Sequence, residues 1–313
     1  MKKRRDVLNR RSFIRKSSAL AAGSVLLPSF ILSSTSCASP ATKIPICAHL
    51  WVYASKFPPD WDATPALETI FSDLSYAGID GLELMESVLR YDDAVERLTK
   101  LSQQYGVPVS GSSYGVGFGM WDKAQHQAIL DDLQLVIPRL GKVGGKTFGI
   151  SVGAKPGALK TESELDAQAE LLIEVRKICA DHGIEANLHN HTYEVENDLH
   201  DLKGTLARLP DFKLGPDLNW LIRGGVDPVE FIQTYGEQIV YLHIRDQYQD
   251  GTWSEYVGQG DTDFKPMAEA LKAKGFRGSA GIELAFPNDF TPTYELKEDW
   301  KKSREFVQET FGW

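Results

Sequence analysis

Cysteine is scarce in this chain: three among 313 residues, at Cys37, Cys47 and Cys179. Cys47 and Cys179 lie too far apart in sequence to outline a disulfide framework or a zinc knuckle, and read as small core residues. No apolar run reaches membrane-spanning length; "ALAAGSVLLPSFIL" (19–32) is too short and contains Pro28. Low-complexity tracts are missing, and 42% hydrophobic with 25% charged residues is a globular composition. The first strand-like run, "IPICAHLW" (44–51), leads into "VYASKF" with no glycine fingerprint, which weighs against an open doubly wound sheet. Positive charge is also short. Eight of the 34 Lys/Arg and one of the 43 Asp/Glu fall in the first forty residues, so the remainder carries 26 bases against 42 acids, a balance of −16. Such a surface repels nucleic acid and anionic membrane and disfavours a heavily phosphorylated substrate.

Those first forty residues have the layout of an export signal: a basic start, a short apolar stretch, then small polar residues. Within them, Asn9-Arg10-Arg11-Ser12-Phe13-Ile14-Arg15-Lys16 resembles the twin-arginine motif, with Asn9 for Ser/Thr and Ile14 for Leu. The expectation is a signal peptide over 1–40, a barrel domain over 41–313, and a periplasmic address. Ser36-Cys37-Ala38 suits an ordinary cut. "STSC" departs from a lipoprotein box at Ser34, and a lipid anchor at Cys37 is the one membrane association the sequence offers.

From residue 44 onward, short runs rich in Val, Ile and Leu recur about every thirty residues, separated by amphipathic stretches. Strands are predicted at 44–51, 79–85, 107–113, 146–152, 184–190, 212–220, 239–246 and 279–285. Pro65 marks a helix start, and Gly78, Gly106 and Gly183 follow three helix ends. Eight strands alternating with helices in about 270 residues predict a single closed (β/α)8 TIM barrel. Such barrels do their chemistry at the C-terminal ends of the strands.

Histidine is another scarce residue, with seven in all, yet two stand one position apart in "IEANLHNHTYEVEND" (184–198). Strand residues two apart share a face, so Asn187, His189 and His191 point together at the end of strand five. Strand six ends in Asp217 and Asn219, strand seven in His243 and Arg245 beside Asp246, and strand eight carries Glu283. Four adjacent strands thus each bring an imidazole or carboxylate to one rim. Nitrogen with carboxylate oxygen suits one divalent ion (Mn2+, Co2+, Mg2+, Fe2+ or Zn2+), which offsets the cost of gathering such groups in a partly dry mouth. Singly, each has a plainer reading: a structural imidazole, a loop-capping Asp217, a Glu283 paired with Arg245. His49 and Trp51 end strand one, and Glu83 or Glu86 ends strand two; these are candidates for substrate contact or for ordinary packing.

The segments "LHNHTYE" (188–194), "GPDLNWLIRGGVDPVEFI" (215–232), "YLHIRDQ" (241–247), "VGQGDTDF" (257–264) and "GIELAF" (281–286) resemble the xylose isomerase-like barrel superfamily, with its sugar phosphate isomerases/epimerases and inosose dehydratases. The resemblance covers 44–313. It implies one divalent metal held by His189, Asp217, His243 and Glu283, with Arg245 contacting substrate. Many epimerases of this superfamily carry Glu where His189 stands, so their symmetrical pair of glutamates is broken here. The "HNH" form is closer to the inosose-dehydratase-like and ketosugar-processing branches.

The expected reaction is proton abstraction next to a carbonyl of a small unphosphorylated sugar or polyol. Glu283 or His191 moves the proton, and Arg245 holds a substrate oxygen. Trp220, with Trp51 or Tyr114, lies against the sugar, and His49 and Glu83 complete the contacts. The loops 110–120 and 257–261 are candidate lids or plain turns. Isomerisation, epimerisation and a lyase outcome (β-elimination from a ketosugar) stay open, as does self-association. A metal-dependent nuclease conflicts with the acidic balance. A non-catalytic carbohydrate-binding barrel would keep the scaffold without the metal.

Overall fold

The computed structural model describes residues 43–115, 119–287 and 289–313. The expected export signal, its cleavage site and Cys37 lie outside them. Eight parallel strands follow one another around a barrel: β1 Ile46–His49, β2 Gly81–Met85, β3 Val109–Tyr114, β4 Thr147–Ile150, β5 Glu185–Leu188, β6 Lys213–Leu214, β7 Tyr241–Ile244 and β8 Ser279–Ile282. Hydrogen-bonded neighbours run β6-β5-β4-β3-β2-β1-β8-β7. The ring is nearly closed, with β6 and β7 joined by isolated parallel bridges at Leu214–Ile239 and Asp217–His243. This is the TIM barrel the alternation predicts. No helix among the described residues is long and apolar enough to cross a membrane.

One strand differs from expectation. The run 212–220 reads as a strand, but β6 covers two residues and Leu218–Arg223 is already helical. Asp217 is the cause: its Oδ1 accepts the N–H groups of Asn219 and Trp220, both at 2.9 Å, an N-cap that starts the helix early. Asn219 and Trp220 therefore leave the barrel wall within the first turn.

Along the strands other than β3, where Ser112 is the outward partner of Leu84, the outward residues are apolar and buried beneath helices, among them Ile46, Leu82, Phe148, Leu188, Leu242 and Ile282. Helix ends follow the glycine rule, with Gly78 and Gly106 left-handed after Leu67–Ala77 and Ala94–Tyr105.

The inward set is unusual. Barrel interiors are normally filled with branched apolar residues. Here Tyr241 of β7 reaches across to Glu83 of β2, Oη to Oε2 at 2.9 Å, and these strands are not neighbours, so the bond crosses the interior. Glycines on or just past the neighbouring strands make the space: a Cβ at Gly281 would strike the Tyr241 hydroxyl, and one at Gly215 would strike Asn187 Oδ1. Small residues on some strands thus let polar side chains from others fill the barrel centre, directly below the mouth.

Candidate functional site

At the C-terminal mouth the ends of β5 to β8 bring one group together. Donor atoms of His189, Asp217 and His243 lie within 4.8 Å of one another, all three residues buried. Glu283, one residue past β8, stands against them with Oε2 2.9 Å from His243 Nδ1. Arg245 lies between the carboxylates, its Nε 2.9 Å from Asp217 Oδ2 and a terminal nitrogen on Glu283 Oε1. Alternation along β7 explains the pairing, because His243 and Arg245 leave the strand on the same side.

His243 is clamped from two directions. Below it, Glu83 Oε2 lies 2.5 Å from Nε2; above it is Glu283. Burial opposes the imidazolium, but the two carboxylates win and carry its pKa up to about 10. Glu83 is pushed up by its complete burial, yet His243 and His49 hold it below the usual carboxylate range. Glu283 follows the same logic: burial raises it, while Arg245, His49 and His243 bring it well below that range. Asp217 goes the other way, raised by burial against the pull of Arg245.

His189 is different. Burial, with the charge of His243, drives its pKa well below the usual value, so the ring is neutral. Its Nδ1 is buried and has no hydrogen-bond partner among the described residues. His243 Nδ1 has none in alignment either, its approach to Glu283 being close but off-line. A buried, unanswered nitrogen on each of two imidazoles beside two carboxylates is costly, and a bound cation would answer both in place of the proton that His243 carries. The residues present therefore fit a divalent ion of borderline softness.

The remaining expected residues divide. His49 joins the group, with Nδ1 3.4 Å from Glu283 Oε1 and Nε2 2.9 Å from Ser113 Oγ. Glu83 sits beneath His243 at 1% exposure, bonded to His243 and Tyr241, a position that holds the His243 ring from below rather than opens onto the mouth. Trp51 is half-buried at the rim, its ring 5.4 Å from Trp61. Trp220 faces the mouth between His191 and Arg245, at ring distances of 5.6 and 5.5 Å. Tyr114 is the exception: it is buried in the helix layer against Phe148, with Asp132 of the helix His126–Lys142 raising its pKa after burial. Its place is away from the mouth. Glu86, the alternative on strand two, is buried and raised to about 7 by burial, beside Arg90.

His191 stands at the N-cap position of a helical segment that begins at Thr192 and is interrupted at 196–199, and its backbone N–H donates to Glu194 Oε2 at 2.7 Å. Its ring meets His189 edge-on at 5.0 Å and is a third exposed, and burial with the nearby Arg245 pushes its pKa down to about 4. Behind it stand Ser151, Tyr193 and Glu194, which sequence reasoning left unassigned although Tyr193 and Glu194 lie in the quoted "LHNHTYE". Arg223 and Trp253 were also unassigned: the guanidinium lies 3.5 Å from the Trp253 ring centre, and Trp253 meets Trp220 edge-on at 5.2 Å. Asp246 organises the loop carrying Trp253. Its Oδ2 accepts the N–H groups of Gly258 and Gly260, and its Oδ1 those of Gln247 and Thr262.

The xylose isomerase-like TIM barrel family model matches residues 71–310. Among solved structures, D-psicose 3-epimerase from Clostridium cellulolyticum H10 superposes with a TM-score of 0.70 at 14% identity, covering 86% of this chain and 99% of that one. D-allulose 3-epimerase from Methylomonas sp. gives 0.68 at 17% identity, over 86% and 98%. The 3-keto-D-glucoside 4-epimerase from E. coli gives 0.66 at 16%, over 85% and 100%. At these identities the likeness establishes the fold. No curated protein matches the chain in sequence.

Proposed function

Because the chain belongs to the xylose isomerase-like TIM barrel family, we propose that it is a divalent-metal-dependent sugar isomerase or epimerase acting on a small unphosphorylated sugar. The observation that carries this reading is the convergence of His189, Asp217 and His243, with Glu283 beside them, on one point at the barrel mouth. His189, Asp217, His243 and Glu283 would hold the ion, be it Mn2+, Co2+, Mg2+, Fe2+ or Zn2+. Bound there, it supplies the positive charge that a carbonyl oxygen needs as the neighbouring carbon loses its proton.

The chain's own groups do the rest. Glu283, ionised at neutral pH, and His191, neutral there, are the two bases at the mouth and carry the proton off and back. Arg245, paired with Glu283, holds a substrate oxygen. Trp220 and Trp253 wall one side and keep water from the reacting carbon. Named neighbours with this fold act on D-allulose, D-psicose and 3-keto-D-glucosides, which supports a free or keto sugar as the substrate class. The export signal read in residues 1–40 supports a periplasmic, unphosphorylated substrate.

A second reading has its own observation. His189 is neutral and stands where many epimerases carry a glutamate, so the second carboxylate base is missing from that side. A proton removed on one face without an opposing base to return it favours β-elimination, a lyase acting on a 3-keto-glycoside. Incubating the metal-loaded protein in D2O with free ketoses and with a 3-keto-glucoside separates the two. Deuterium entering a ketose with no group lost supports the isomerase/epimerase and removes the lyase. Release of the aglycone supports the lyase. Neither event with any of these sugars refutes the catalytic reading and leaves a binding protein.

A further inference from the structure

His191 presents its two ring nitrogens to different surroundings. Nε2 makes no hydrogen bond with the described residues, and a third of the side chain is open at the mouth. Nδ1 points back onto two hydroxyls, Tyr193 Oη at 3.0 Å and Ser151 Oγ at 3.4 Å. The hydroxyls are 2.8 Å apart, and Ser151 Oγ donates to Glu194 Oε1 at 2.6 Å. The other Glu194 oxygen accepts the His191 backbone N–H at 2.7 Å. The His191 and Tyr193 rings lie nearly parallel, 14° apart with centres at 5.2 Å, which holds the contact in register.

Counting protons gives this chain a direction. A carboxylate accepts at both oxygens and donates nothing, so the Ser151 proton goes to Glu194. Ser151 Oγ then has only lone pairs to offer Tyr193, and the single Tyr193 proton goes to Ser151. Tyr193 Oη is left an acceptor towards His191. The opposite arrangement, with Tyr193 donating to His191, puts two hydroxyl oxygens 2.8 Å apart with no proton between them.

We propose that Ser151, Tyr193 and Glu194 are positioning residues that hold His191 as its Nδ1–H tautomer, leaving Nε2 a bare lone pair at the mouth to take a substrate proton. The catalytic consequence rests on the function proposed above; the tautomer does not. Burial lifts Glu194 to about 7, so the wire is complete where that group is ionised.

The test is long-range 1H–15N correlation of 15N-histidine-labelled protein at about pH 8, above the Glu194 value. The full folded chain is used, with no paramagnetic ion, and the His191 signals are assigned with His191→Gln. Protonated Nδ1 with unprotonated Nε2 is the expected pattern. Tyr193→Phe and Ser151→Ala should each move His191 towards the Nε2–H form with divalent-ion content unchanged. In the D2O exchange assay, Tyr193→Phe should lower kcat about tenfold while KM stays within about twofold, the usual scale for groups that orient an active ring. An Nε2–H signal in the wild type, or an Nδ1–H signal that survives in both variants, overturns the proposal. The expected tautomer without exchange into any sugar upholds the positioning and sinks the proposed reaction instead.

Discussion

Replacing Glu83 by Gln removes a charge that never touches solvent and should weaken metal binding from below. Glu83 Oε2 accepts from Tyr241 Oη at 2.9 Å and lies 2.5 Å from His243 Nε2. Both contacts fall on Oε2, which the Gln carbonyl can occupy, so the geometry is kept and the loss is the charge assistance to His243, about 1–2 kcal/mol. With the charge gone, His243 Nε2–H is less firmly held, its Nδ1 is a poorer electron donor, and its pKa falls from about 10. Outer partners of this kind are worth about 10–100-fold in metal affinity, or roughly 1.4–2.8 kcal/mol. The two estimates agree, which makes the expectation specific. Calorimetric titration of metal-stripped Glu83→Gln with Mn2+ should show that loss in affinity, with stoichiometry unchanged and a cooperative thermal transition retained. A folded variant whose affinity stays within about twofold of the wild type refutes the supporting role of Glu83.

Two further predictions lie outside the metal group. Asp246→Ala strips the acceptor from four backbone N–H groups and should loosen the loop 246–262, read as faster limited proteolysis there and a stability loss of about 2–3 kcal/mol; an unchanged cleavage rate contradicts it. Asp299 is fully buried with both carboxyl oxygens unpartnered among the described residues, and burial with nearby Glu255 raises it to about 7. Its folded pKa is above its unfolded one, so ionisation favours unfolding and stability falls between about pH 4 and 7. Asp299→Asn should gain on the wild type across that window by about 2 kcal/mol, half the full linkage value, with the two matching near pH 4; parallel stability curves contradict this.

Much of the site was legible because strand periodicity carries it. His189, His243 and Glu283 sit within one residue of the ends of strands whose apolar alternation fixes which way they turn, and the structure brings them together. Strand three failed for want of that signal. "VPVSGSS" has no apolar alternation at its end, and the register between β2 and β3 shifts at Leu82/Glu83, so the side taken by Tyr114 could not be assigned. Strand six was overdrawn because a capping aspartate looks like a strand-end ligand in sequence, and Asp217 both caps the helix and joins the cluster with His189 and His243. Trp253 and Arg223 meet through a loop with no period, where only coordinates reveal the pairing. Glu194 was visible as one of the acids after "HNH", but its partner Ser151 lies more than forty residues away.

The claim on which the account depends is that the mouth grips one divalent ion, and metal binding by the purified, metal-stripped protein measures it directly. Titration with Mn2+ or Zn2+ should show one site per chain, and Asp217→Asn should weaken it by about 100-fold or more, since losing a ligand costs no less than losing an outer partner. Absence of stoichiometric binding in the wild type, or undiminished binding in the variant, contradicts the account.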